Sequence, residues 1–65
     1  MRLDTWTIKK RMAEKTLTGA RLAKETGLSP QSVSTILNRG TCSIINAGRI
    51  ASVLGLELEE ISKED

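Results

Sequence analysis

Hydrogen-bonding side chains, with no acid among them, cluster between Gln31 and Arg39. If this segment is helical, most of these side chains share its free side, with Ser34 toward the edge. In a DNA major groove, Gln can pair with adenine, a Ser hydroxyl can donate or accept, and a Thr methyl can contact thymine. The segment therefore predicts a surface that reads DNA bases. The predicted base-reading residues are Gln31, Ser32, Ser34 and Thr35.

Residues that flank this surface are suited to hold the DNA backbone. Contacts to phosphates fix the orientation of a protein on the duplex and carry no sequence information directly. Arg39 is the strongest candidate because it is basic, precedes Gly40 and would lie at the mouth of the groove. Lys24 is explained at least as well by a solvated helix face. The predicted phosphate-binding residues are Thr18, Arg21, Asn38, Arg39 and Thr41.

The same polar side chains could instead be ordinary solvent-facing residues of a surface helix. Against this explanation, they form helices less readily than Glu, Lys or Ala. A surface helix selected for stability alone would more often carry charged pairs. The pattern favours recognition for the helix as a whole and leaves each single side chain undecided.

Apolar residues spaced by three and four predict the helices that position this surface. We expect an all-α fold of five short helices. Ser29 and Pro30 form the clearest helix start, because a hydroxyl cap precedes a ring whose fixed φ suits the first turn. The expected helices run from a cap at Asp4 or Thr5 to about Lys15, from Thr18 to Thr26, from Ser29 to Arg39, from Ser43 to Gly55, and from about Glu57 to Ser62.

The second and third helices, with the turn between them, form a predicted helix-turn-helix over about residues 18–39. Ala23 would allow the two helices to cross closely, and Gly27 would permit the turn. Val33 and Ile36 would hold the third helix against the first two. The other residues predicted to face inward are Ile8, Met12, Leu22, Leu37, Ala47, Ile50, Ala51, Leu54, Leu58 and Ile61.

The composition argues against catalysis. A chain of 65 residues holds one small domain, here residues 1–65, and a deep ligand cavity would consume its core. The chain has no His and no Tyr, and its one Cys excludes an intrachain disulfide. We expect no enzyme activity, cofactor, metal or small-molecule substrate. Cys42 is expected to be a small, half-buried hydrophobe.

Charge is divided unevenly along the chain. Residues 1–56 carry nine Lys or Arg against three acids, a net +6, and residues 57–65 carry five acids against one Lys, a net −4. This division of charge suits a basic region, residues 1–56, that binds a polyanion. The acidic C-terminal tail, residues 57–65, would then point away from the polyanion. A solvated surface with a frayed acidic tail explains it equally well. No signal peptide or membrane span is apparent, so the expected location is cytoplasmic.

The span from Ile8 to Ile61 resembles the lambda-repressor-like, or Cro/C1/Xre, family of phage and bacterial regulators. The resemblance is carried by Leu22, Ala23, Gly27, Val33 and Ile36 in the helix-turn-helix, and by Ile50-Ala51 and Leu54-Gly55-Leu56 beyond it. It implies a five-helix domain that binds double-stranded operator DNA, usually as a homodimer, with the third helix in the major groove. It does not choose between repressor and activator.

Three positions depart from the family pattern. Gly19 stands where many members have a Gln that braces a phosphate. Met12 and Leu37 stand where many members pair an Arg with a Glu, and two apolar partners avoid an unpaired buried charge. Glu57 stands where a Ser often caps the last helix, so we expect some fraying there.

Two classes of function remain open at this point. The first is a phage or phage-like transcription regulator, a repressor on this interpretation, that occludes a promoter at a near-palindromic operator. Because the chain is short, we expect its dimer contacts to use the outer residues of helices one, four and five. The second is a protein-interaction module, antitoxin-like or anti-repressor-like, that uses Trp6, Leu58, Ile61 and the acidic tail. Trp6 either covers the edge of helix five or lies exposed in a dimer contact.

Overall fold

A computed structural model describes residues 1–63 of the chain. Within that range the regular elements are five helices, and the only β-type pairings are isolated bridges, so the all-α prediction is confirmed. No helix in the described range is long and apolar enough to cross a membrane. The helices are α1 (Thr5–Glu14), α2 (Gly19–Thr26), α3 (Pro30–Arg39), α4 (Ile44–Leu54) and α5 (Leu58–Ile61).

Side-chain caps fix the starts of the first four helices, as predicted. In each case an oxygen of the cap residue accepts a hydrogen bond from a backbone N–H in the first turn, which would otherwise lack a partner. Hydrogen bonds from the Thr7 side chain and backbone also hold the pKa of the Asp4 carboxyl below its usual value. The four cap residues are Asp4, Thr18, Ser29 and Ser43.

The first and last helices agree with the predicted bounds, and each shows one feature that the sequence did not predict. α1 ends at Glu14, and Thr16 follows in the left-handed region with φ of +50°, although it is not a glycine. α5 lies between its cap residues Glu57 and Ser62, and the Glu57 N–H donates to the Glu60 carboxylate over 3.0 Å. Glu60 thus supplies an acceptor at the point where we expected fraying.

The core brings together one side of each helix. All of its buried apolar residues were predicted except Leu3, while Leu37 and Leu58 are only half-buried against it. Thr26 is buried as well, and its hydroxyl donates to the carbonyls of Leu22 and Ala23. The buried apolar residues are Leu3, Ile8, Met12, Leu22, Ala23, Val33, Ile36, Ala47, Ile50, Ala51, Leu54 and Ile61.

The first four residues form an extended segment that sequence analysis did not anticipate. The Leu3 N–H donates to the Gly40 carbonyl over 2.8 Å, and the Asp4 N–H donates to the Ile61 carbonyl over 2.7 Å. The segment therefore joins the end of α3 to the end of α5. Further hydrogen bonds join it to Cys42, which donates to the Met1 carbonyl and accepts from the Met1 ammonium, and to Lys63, which donates to the Arg2 carbonyl.

The structure contradicts one interpretation of Trp6 and one proposed role of Ile61. Trp6 is 72% exposed, so the interpretation in which it covers the edge of helix five is wrong. Ile61 is completely buried, so it cannot serve a partner protein as the second functional class requires. Lys63 closes the described range, and the last two acids of the predicted tail, residues 64–65, lie outside it.

Replacing Leu3 with Ala should lower the free energy of unfolding by about 2–5 kcal/mol, because it removes a buried side chain and leaves a cavity. Urea unfolding followed by far-UV circular dichroism measures this change. Trp6→Ala is the control, and it should change stability by no more than about 0.5 kcal/mol because Trp6 is exposed. Equal losses in the two variants would contradict the role given to the N-terminal segment.

Candidate nucleic-acid interface

The buried side of α3 determines which of its residues remain free. Val33 and Ile36 are buried in the core. Because successive side chains are about 100° apart around a helix, burying these two leaves the opposite side to solvent. The structure accordingly leaves all four predicted base-reading residues exposed: Gln31, Ser32, Ser34 and Thr35.

Three of these residues border an open depression between α3 and the start of α4. Gln31, Ser32 and Thr35 line one side, and Ser43 and Asn46 line the other. Ser32 is also held in place, since its backbone N–H donates to the Ser29 hydroxyl and its own hydroxyl accepts from Ser29 over 2.9 Å. The Asn46 amide, which sequence analysis did not single out, is a further hydrogen-bonding group beside the predicted base readers.

Ser34 lies on the other border of α3, apart from these three residues. It shares a second open cavity with Asn38, with Gly19 and Ala20 at the start of α2, and with Lys9 of α1. Sequence analysis missed Lys9, because a lysine on an amphipathic helix gives no sign of which neighbouring helix it will lie beside.

The end of α3 forms a basic cluster. Arg39, Asn38 and Thr41 border a depression that also includes Arg2 and Lys63 from the two ends of the described chain. Three of the predicted phosphate-binding residues are thus neighbours. The two additional cations were missed because they reach this place through the unanticipated N-terminal segment.

A comparison with known protein families identifies the family of this chain. Residues 7–63 match the family described as the Cro/C1-type HTH DNA-binding domain. The chain belongs to this family. No curated protein and no solved structure matches it. The resemblance seen in the sequence is therefore confirmed. A turn at Gly27, where φ is +79°, joins α2 to α3, the two helices predicted to form the helix-turn-helix.

The remaining phosphate-binding candidates of this Cro/C1-type domain lie at α2. The Thr18 hydroxyl accepts from the Arg21 N–H as the helix cap. The Arg21 guanidinium is paired with Glu25 over 3.0 Å and borders a depression near Leu17 and Val53. The structure does not bring Arg21 together with the exposed residues of α3, and a phosphate would have to compete with Glu25 for it.

Two positions that depart from the family pattern lie at or near the core. Met12 is buried and Leu37 is half-buried, in agreement with an apolar replacement of a charged pair. The neighbouring Arg11 instead donates to the Leu54 carbonyl over 3.1 Å and pairs with Glu14. An arginine of α1 therefore provides a hydrogen-bond donor to a backbone carbonyl at the end of α4, a contact that the sequence did not reveal.

Cys42 lies beside the depression bordered by Gln31 and Thr35, and it is half-buried as predicted. Burial raises the pKa of its thiol above the usual value, although the N-terminal ammonium acts in the opposite direction. Because the thiolate is the reactive form, a raised pKa lowers the reactivity of Cys42 at neutral pH. Residues 1–63 contain no group of three or more His, Cys, Asp or Glu that could hold a metal ion.

Proposed function

We propose that this Cro/C1-type domain is a sequence-specific transcription regulator that inserts α3 into the major groove of its operator. The observation that carries the proposal is the exposed, acid-free polar side of α3 in a chain of a DNA-binding family. Bound at a promoter, the domain would act as a repressor by occlusion, without catalysis and without a cofactor. We further propose a phage or phage-like origin, which the family resemblance suggests.

Different groups would supply specificity and position. The Gln31 amide suits bidentate pairing with adenine, and Ser32, Ser34 and Thr35 would add shorter contacts to base edges. Arg39, Asn38 and Thr41 would hold phosphates at one end of α3. Thr18 and Arg21 would approach the backbone at the start of α2, with Arg21 exchanging its carboxylate partner for a phosphate.

A near-palindromic operator would require two copies of the domain, with half-sites about 34–36 Å apart. An apolar surface at the start of α4 supports a homodimer. Ile44 and Ile45 are 65% and 69% exposed, and Ile44 borders an apolar depression with Met1 and Leu58. Since Ser43, which directly precedes Ile44, borders the polar depression beside α3, a second copy seated on the apolar surface would lie next to the proposed DNA-binding side.

The function is tested by measuring affinity for random-sequence duplex DNA across a salt series. Neutralised phosphates release counterions, so affinity should fall steeply with salt, and Arg39→Ala should lower the slope of log affinity against log salt by about one. The reduction should be similar on every duplex, because a phosphate contact carries no sequence information.

Arg39→Lys serves as the matched control and should keep the slope, because it retains the charge. An unchanged slope in Arg39→Ala would remove Arg39 from the phosphate contacts. If the unmodified protein binds no DNA even at low salt, the proposed function is wrong and the protein-interaction class, through Trp6 and Leu58, becomes the better account.

Gln31→Ala should relax the preference at one base pair of the selected site, at a cost of about 1–3 kcal/mol on the preferred duplex. Selection from random DNA followed by sequencing, carried out with both proteins, gives the two motifs. The motifs should differ at one position in each half-site. Identical motifs would mean that Gln31 reads no base.

Ile44→Asp should weaken self-association, since it places a charge in the proposed apolar contact. The variant should still fold, because an acidic residue is favourable in the first turn of a helix. Sedimentation equilibrium over a range of protein concentrations measures the effect. Trp6→Ala is the comparison, and a loss of association in Trp6→Ala alone would move the contact to α1.

A further inference from the structure

Lys9 has no assigned role, yet it lies beside the surface proposed to bind DNA. It borders an open cavity of about 410 Å³ whose other walls are α3, through Ser34 and Asn38, and the start of α2, through Gly19 and Ala20. The cavity therefore joins α1 to the side of α3 that carries one predicted base-reading residue and one predicted phosphate-binding residue.

We infer that Lys9 is a further DNA-binding residue, whose ammonium neutralises a backbone phosphate at the border of the groove that α3 enters. The inference rests on the proposed function and extends its contact surface from the helix-turn-helix to α1. Lys9 would position the domain on the duplex and would not distinguish between bases.

The charge environment of the cavity favours an anion. None of the residues that border it is acidic. Arg11 and Arg21 are paired with Glu14 and Glu25, whereas Lys9 is exposed and pairs with no acid of residues 1–63. Its ammonium is therefore available to a phosphate, in contrast to the Arg21 guanidinium, which is occupied by Glu25.

The cavity also has room for a phosphate. Gly19 brings no side chain to it, and a Cβ built at that position would meet no heavy atom within 4 Å. The Asn38 amide and the Ser34 hydroxyl add neutral hydrogen-bonding groups on the opposite wall. A flexible lysine stem can follow the DNA backbone across such an opening, because its charge is compact and it needs no fixed planar partner.

Lys10 provides a matched control from the same helix. It is exposed like Lys9 and has the same charge, but it points about 100° further around α1 and does not border this cavity. A general effect of net charge on DNA binding would appear equally in variants of both lysines. A specific phosphate contact would appear in Lys9 variants alone.

The test compares Lys9→Gln and Lys10→Gln in the full chain, on the duplex selected by the unmodified protein and over a salt series. Lys9→Gln should lower the slope of log affinity against log salt by about 0.9, the value for one phosphate, and should leave the selected motif unchanged. Lys10→Gln should keep both the slope and the motif. Lys9→Arg should restore the slope, and the urea midpoints of all the variants should match that of the unmodified protein.

The possible results separate this inference from the proposed function. If the unmodified protein binds DNA with a steep salt dependence but Lys9→Gln keeps the full slope, Lys9 makes no phosphate contact and the proposed function stands. Equal losses of slope in Lys9→Gln and Lys10→Gln would also overturn the inference, because they indicate a long-range charge effect. If the unmodified protein binds no DNA, both proposals fall.

Discussion

A chain of this size builds one small core, so each helix can bury only one side. In α3, Val33 and Ile36 are buried in this core, so the polar side of the helix stays exposed to solvent. Ala23 of α2 is buried in the same core, where a larger side chain would overpack the space between the helices. The polar surface of α3 that we propose to bind DNA is thus the surface that stays exposed once the core has formed.

The N-terminal segment completes this arrangement at the far end of α3. Its hydrogen bonds to Gly40 and Ile61 hold that end against the last helix, and Leu3 fills the core between them. Arg39 extends from a part of the backbone that is fixed on both sides. In the proposed function, this backbone order would lower the conformational entropy lost on binding and would favour a defined contact of Arg39 with the DNA backbone.

The helices of this chain could be predicted almost completely from local signals. Hydroxyl and carboxylate caps, Gly27 and Gly40 at helix ends, and apolar spacing all act within a few residues, and they gave the starts of four helices. Leu3 escaped prediction because one apolar residue in an extended segment has no periodicity, and its partner Gly40 is remote in sequence. The left-handed Thr16 was missed because a threonine seldom adopts that conformation.

The sequence predicted which residue types form the candidate site, but it did not predict which of these residues lie next to one another. Helical spacing identified the exposed residues of α3, but only packing between helices divides them into the depression beside Asn46 and the cavity beside Lys9. Arg21 is paired with Glu25, four residues later, so a local ion pair occupies a guanidinium that we predicted to bind phosphate.

The hydrogen bonds of Met1 and Lys63 bear on any fusion of this domain to another polypeptide. The Met1 ammonium donates to the Cys42 carbonyl over 2.8 Å, so extending the chain at that end would turn the ammonium into an amide and remove its charge. At the other end of the described range, the Lys63 backbone N–H donates to the Arg2 carbonyl over 3.0 Å, and Lys63 borders the same depression as Arg39. A tag fused to Met1 would therefore begin directly before Arg2, which borders the basic cluster, and a charged tag would alter the proposed electrostatic attraction for nucleic acid.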